Sequence, residues 1–237
     1  MHAEPLLRRL LAEGLGSAML AATVVGSGIM AERLSGGNVA VALLANTGAT
    51  VAVLAALIAL LGPVSGAHFN PAVSVVEFLR GRLTWSEASL YTALQIGGCC
   101  LGALLAHAMF ELPLWQAATH VRTGPAQWLA EFVATFGLIV TILAVARFRN
   151  DAIPVAVGLY ITAAYWFTAS TSFANPAVTI ARAFTKSFAG ISPGDVPMFI
   201  VAQLLGALMA LVMMRWLLDP PSAPSTLRDA TATDLKI

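Results

Sequence analysis

Charge is what this sequence has least of. Asp, Glu, Lys and Arg make up 11% of its 237 residues, where a soluble domain carries about 25%. So few charges cannot cover the surface of a soluble fold this size, and the shortage fits a chain whose surface is largely covered by lipid. The charges balance to a formal +1, with no sign of the basic patches that a nucleic-acid partner requires. Cysteine is almost missing as well. Cys99 and Cys100 are adjacent within an apolar run. Neighbours cannot pair without strain, and their spacing suits neither a zinc site nor a disulfide framework, so both read as small buried apolar residues. No nucleophile–base pair, phosphate loop or metal cluster is evident. Neither enzyme activity nor a cofactor is expected.

What the chain has is apolar length. Hydrophobic residues make up 58% of it, and a spanning helix needs about 20 mostly apolar residues. Six segments qualify: Leu7–Met30, Val39–Leu61, Ser86–Phe110, Trp128–Ala146, Pro154–Ser170 and Val196–Leu218. Arg8 and Arg9 precede an apolar stretch, as in a signal peptide, but the run from Leu10 to Met30 is too long for a signal core of about 7–15 residues. Two further apolar stretches, 70–79 and 175–184, are too short to span, and at about ten residues they read as re-entrant. The expected fold is an all-α membrane protein of six spans and two half-helices. Its organisation is an N-terminal segment 1–6, a first unit 7–110, a connecting loop 111–126, a second unit 127–218 and a flexible tail 219–237.

Six spans put both termini on one side. That side would hold Arg8, Arg9, Arg80, Arg82, Arg147, Arg149, Arg215, Arg228 and Lys236, the other Arg33, Arg122, Arg182 and Lys186. The imbalance puts both termini in the cytoplasm.

The two units repeat each other. Leu11-Ala12-Glu13 opens the first span and Leu129-Ala130-Glu131 the fourth; Asn70-Pro71-Ala72-Val73 opens one half-helix and Asn175-Pro176-Ala177-Val178 the other; Gln95 and Gln203 each have Gly three residues on, at Gly98 and Gly206. Each unit has three spans, an odd number, so the second enters the membrane from the opposite side as an inverted repeat. The half-helix N-termini then meet near the midplane. Non-helical backbone is tolerated there only inside protein or beside water, which points to Gly66, Ala67, His68 and Phe69, and to Ser172, Phe173 and Ala174, as pore-lining backbone. Pro suits the first helical position and Asn the cap, leaving the Asn amide N–H groups to face a channel. Two helix N-termini disfavour a cation, and the carbonyls ahead of them offer acceptors. The combination suits a neutral, hydroxyl-bearing solute.

Ser65 through Val73, with the second Asn-Pro-Ala box and the repeated Glu and Gln-x-x-Gly, resembles the signature of the major intrinsic protein family, the aquaporins and aquaglyceroporins. The resemblance covers about residues 6–218. It implies six tilted helices plus two half-helices, a homotetramer with one pore per subunit, and small neutral solutes as the cargo. Residence in a plasma membrane, the inner membrane of a bacterium, goes with it. It also implies that Glu13 and Glu131 accept hydrogen bonds from the re-entrant loops, a scaffold role; a proton-carrying role is the alternative for carboxylates within spans.

The resemblance further implies an outer filter of four positions. The one three residues beyond the second box Asn is almost always Arg in the family; here it is Val178. Counting back from Asn70 gives Thr50 for the span-two position, with Thr47 and Asn46 as alternatives. Ser172 takes the loop position. The span-five position falls on Tyr165 by one alignment and on Ala163 by another. Thr50, Ser172 and Val178 predict a filter wider and less charged than that of a strict water pore. Asn175 through Arg182 resembles bacterial members associated with arsenic-resistance genes, which implies metalloid hydroxides such as arsenite among the solutes. Arg182 lies one turn from Val178. It either reaches back to restore the charge or sits solvated at the interface, and the second is preferred.

His68 lacks neighbouring ligands for a metal, and the resemblance implies a pore-lining role for it. Trp85, Trp115 and Trp128 read as interface anchors, and Gly98 with Gly102 as a helix-packing pair. Three functions compete: a neutral-solute channel, a coupled transporter and a junction-forming protein with a closed pore. A transporter needs ion-coordinating groups at the midplane, and only the two glutamates are there. The short loops carry no adhesion feature. The channel is the expectation, with a strict water channel as its nearest alternative.

Overall fold

A computed structural model describes residues 4–218; the expected tail 219–237 lies outside them, as do Arg228 and Lys236 of the charge comparison. The described residues form eight α-helices: α1 (Leu6–Leu34), α2 (Val39–Ser65), α3 (Pro71–Leu79), α4 (Trp85–Met109), α5 (Pro125–Phe148), α6 (Ile153–Phe167), α7 (Pro176–Arg182) and α8 (Val196–Leu218). Five of them, α1, α2, α4, α5 and α8, are long and apolar enough to cross a membrane. The fifth expected span is shorter than its apolar run. A 3₁₀ turn over 150–152 precedes α6, and the chain turns extended at Thr168. Its 15 residues rise about 22 Å, against a hydrocarbon core of about 30 Å. Residues 168–170, expected to be helical, belong to the re-entrant loop instead. In α2 the helix continues through Pro63 and stops at Gly66, which takes φ 91°, a left-handed cap that glycine adopts without Cβ strain.

The helices pair in matching fashion. α1 packs on α4 and α2, and α5 on α8 and α6. Small residues set the approach. A Cβ added at Gly98 would stand 2.4 Å from the Gly14 carbonyl oxygen, and one at Gly206 2.3 Å from that of Phe132. Gly102 allows the same closeness, 2.1 Å from the Ala18 carbonyl oxygen. Close backbone contact replaces the hydrophobic drive that lipid removes.

The half-helices cross over. Ala177, Val178 and Ala181 of α7 pack into the cluster of Leu20, Val24, Cys99 and Ala103 on α1 and α4. Ala72, Val73 and Val76 of α3 pack with Ile139, Ala207 and Leu211 on α5 and α8. Each unit's core is therefore completed by the other unit's half-helix. Outward lie large apolar side chains such as Leu15, Leu60, Leu129, Leu159, Val212 and Trp216, all exposed, as lipid contact requires. Trp85 and Trp115 are exposed too. Trp128 is not an exposed anchor: it packs against the cluster of Phe173 and Phe199, because its position one turn into α5 faces the re-entrant loop.

Candidate functional site

Asn70 and Asn175 each cap the half-helix they open. Asn70 Oδ1 accepts from Ala72 N at 2.9 Å, and Asn175 Oδ1 from Ala177 N at 3.0 Å and Val178 N at 3.3 Å. Pro71 and Pro176 follow at the first helical position. Each amide then reaches across: Asn70 Nδ2 donates to the Ala174 carbonyl and Asn175 Nδ2 to the Phe69 carbonyl, both at 2.8 Å. One of the two N–H groups on each amide is thus spent on the opposite loop.

The loops leading to the two asparagines have the same unusual backbone. Ala67 and Phe69 take φ 50° and 49°, and Ser172 and Ala174 take 51° and 48°. Non-glycine residues pay for left-handed conformations, and buried carboxylates hold them there. Glu13 accepts from Ser65 Oγ at 2.6 Å, His68 N at 3.0 Å, Phe69 N at 2.7 Å and Gln95 Nε2 at 2.8 Å. Glu131 accepts from Phe173 N at 2.8 Å, Ala174 N at 2.9 Å and Gln203 Nε2 at 2.6 Å. Both carboxylates are fully buried. Gln95 and Gln203 tie each network to its half-helix through Ser74 Oγ and Thr179 Oγ1, both at 2.9 Å.

A cavity of about 790 Å³ passes these groups. At one end it is bordered by His68, Glu77, Arg82 and Asp151, in the middle by Gly66, Ala67, Asn70, Ala174 and Asn175, and at the other end by Thr50, Tyr165, Ser172, Phe173, Val178 and Arg182. Thr50 borders it, whereas Thr47 Oγ1 donates to the Leu43 carbonyl and the Asn46 amide bonds the Val24 carbonyl and Ser27 on α1. Tyr165 borders it, and Ala163 is exposed on the opposite side of α6. Pro71, Ala72, Pro176 and Ala177 are buried behind the asparagines. The hydroxyls Thr50 Oγ1 and Ser172 Oγ are buried and have no hydrogen-bond partner among the described residues. His68 Nδ1 lies 3.1 Å from Ser74 Oγ, and its ring meets Tyr91 edge-on at 5.3 Å. Among the described residues no three His, Cys, Asp or Glu side chains are grouped to hold a metal.

Arg182 is not the solvated interfacial residue the sequence favoured. It is 2% exposed, its Nε donates to the Ala189 carbonyl, and its guanidinium lies 3.3 Å from the centre of the Phe173 ring. The segment after α7 folds back over the half-helix, with Ile191 N donating to the Arg182 carbonyl at 3.2 Å, and so covers the side chain. Arg122 had been counted as an outer loop charge, and it too is buried. It donates to the carbonyls of Gly190 at 2.9 Å, Ser170 at 3.2 Å and Phe188 at 3.3 Å, and faces the same Phe173 ring at 5.0 Å. Burial pulls its pKa down to about 10. Burial, then the positive charges of Arg122 and Arg182, hold the nearby His120 below its ordinary range. No local pattern marked Arg122, because its partners lie some fifty or more residues away along the chain.

The sequence model described as Major intrinsic protein matches residues 1–170 and 148–236. The chain belongs to the major intrinsic protein family. It is 60% identical over 215 residues to Aquaglyceroporin AqpS of Rhizobium meliloti, covering 91% of this chain and 92% of that one. A probable aquaporin of Oryza sativa, TIP3-2, is 31% identical over 194 residues, covering 76% and 71% respectively. Among solved structures, the aquaglyceroporin from Plasmodium falciparum superimposes with a TM-score of 0.66 over 88% of this chain and 95% of that one. Its 20% identity speaks for the fold alone. This member of the family is a multi-pass membrane protein with the six-span, two-half-helix fold.

Proposed function

We propose that the protein is a passive channel for small uncharged solutes, among them glycerol-like polyols, metalloid hydroxides such as arsenous acid, and water. The observation that carries this reading is the cavity itself: one space of about 790 Å³ that borders both asparagines and Val178. Apolar walls with a few polar groups suit a neutral solute, since an ion entering would find too little to replace its hydration shell. Thr50, Tyr165, Ser172 and Val178 form the outer constriction. Arg182 supplies a positive charge at its edge. The half-helix asparagines and the loop backbone from Gly66 to Phe69 and from Ser172 to Ala174 guide the solute through. Glu13 and Glu131 act as scaffold, since several donors already hold each carboxylate. The working form is a homotetramer in the plasma membrane, the inner membrane of a bacterium, with both termini cytoplasmic. A relative named an aquaglyceroporin, matched over nine-tenths of both chains, supports passage of solutes larger than water.

The test is light-scattering stopped flow on proteoliposomes, with glycerol and arsenous acid gradients applied in the presence and absence of a protonophore. A passive channel gives fluxes that follow the solute gradient and ignore the protonophore. Uptake against a gradient that collapses with the protonophore would identify a coupled transporter. Flux of water without either solute would identify a strict water channel, with Arg182 closing the space beside Val178.

A further inference from the structure

Four arginines converge on a second hollow, about 290 Å³ in volume, where the ends of α3, α5 and α8 meet. Arg80 caps α3 and Arg82 follows it, while Arg147 and Arg215 lie in the last turns of α5 and α8. A single cation at a helix C-terminus is ordinary, because it complements the macrodipole. Here three helix ends bring four guanidiniums to one concave space. The carboxylate that answers them is Glu77, which takes Arg80 at 2.6 Å and Arg82 at 3.4 Å. Arg215 donates to the Leu79 carbonyl at 2.5 Å, and Arg147 rests 6.0 Å from the Phe148 ring. No carboxylate lines the hollow among the described residues. Its remaining wall is aliphatic: Leu143, Leu211, Met214 and Leu218. Just beyond, Val212 and Trp216 are exposed on α8, on the surface that lipid covers.

We infer that this hollow binds the phosphate headgroup of an anionic glycerophospholipid. Guanidinium forks suit the paired oxygens of a phosphodiester, and basic pockets between membrane helices at the interfacial level match acidic headgroups. The aliphatic wall decides between a lipid and a free phosphate: it accepts the glycerol backbone and the first methylenes of an acyl chain, for which inorganic phosphate has no counterpart. Arg82 borders both this hollow and the large cavity, so a bound headgroup sits beside the mouth of the axial cavity. The inference does not depend on which solute crosses the channel.

The experiment is native mass spectrometry, with thermal unfolding in parallel, on the full-length protein in a neutral detergent. The probes are phosphatidylglycerol, phosphatidylcholine and inorganic phosphate. The proteins are wild type, Arg147→Gln, Arg147→Gln/Arg215→Gln and Arg147→Lys/Arg215→Lys. Wild type is expected to prefer phosphatidylglycerol, and that preference should fall about fivefold for each arginine removed. The lysine pair should keep most of it. Arg147→Gln alone disturbs no tertiary hydrogen bond among the described residues, so it reports chiefly on charge. A glutamine pair that keeps the wild-type preference overturns the inference. So does inorganic phosphate that raises the unfolding temperature as much as the lipid does, since the phosphate chemistry would then hold without the lipid.

Discussion

The guanidinium of Arg182 lies 3.3 Å above the centre of the Phe173 ring, one helical turn beyond Val178. The cavity borders both Val178 and Arg182, and in the proposed channel Val178 takes the filter arginine's place. A desolvated cation on an aromatic face is held by about 2 kcal/mol, and Arg122 approaches the same ring from 5.0 Å. In the proposed channel the positive charge at the outer end is thus set aside in the wall, and the bulk of a filter arginine is missing from the opening.

Arg182→Ala should raise proton leak and solute flux together. Losing about 1.4 kcal/mol of electrostatic barrier corresponds to a roughly tenfold rise in leak, read with a pH-sensitive dye in proteoliposomes. Arg182→Lys should fall between wild type and alanine, because it keeps charge but not the planar stacking on Phe173. Leak unchanged in Arg182→Ala would remove Arg182 from any part in excluding protons.

Glu13→Gln and Glu131→Gln should destabilise the fold by about 3 kcal/mol or more each, since an amide turned toward the donors described above leaves some of them unpaired. The loss should be larger at Glu13, which accepts four hydrogen bonds against three at Glu131. Tryptophan fluorescence during thermal unfolding in detergent reads it. A glutamine variant as stable as wild type would show that the left-handed loop residues hold their conformation unaided.

Gly98→Ala and Gly206→Ala should cost about 1–3 kcal/mol, because the new methyl would fall 2.4 Å and 2.3 Å from carbonyl oxygens of the facing helix. Gly97→Ala meets nothing within 4 Å and should be neutral or gain up to about 1 kcal/mol from helix propensity. The three variants compared in one unfolding series separate packing from propensity.

The features that the sequence carries legibly are those whose partners repeat at fixed spacing. Six apolar runs and the paired Glu, Asn-Pro-Ala and Gln-x-x-Gly elements led to the fold class, because each has its counterpart in the other unit. Helix ends were legible where a residue enforces them, as Asn70 and Asn175 do. They were not legible at Thr168, where an apolar run continues but the backbone leaves the helix. The alternatives Tyr165 and Ala163 differ by two residues on one helix, so apolar pattern could not choose between them; packing against α2 and α5 turns Tyr165 inward. Arg182 was misread as solvent-facing, and Arg122 was counted only as an outer loop charge, because what buries them is the fold-back of residues 183–192 onto the 111–124 loop. Ala118 N bonding the Ala183 carbonyl and Ser192 N bonding that of His120 hold those segments together. Such backbone pairings leave no mark on side-chain type.

The role of Val178 in admitting solutes larger than water is decided by the solute profile of wild type beside Val178→Arg, taken by stopped-flow light scattering with water, glycerol and arsenous acid gradients in parallel. Wild type should pass all three, and the arginine variant should keep water while losing the two larger solutes. A wild type that passes water alone, or an arginine variant that passes all three as before, would contradict that role.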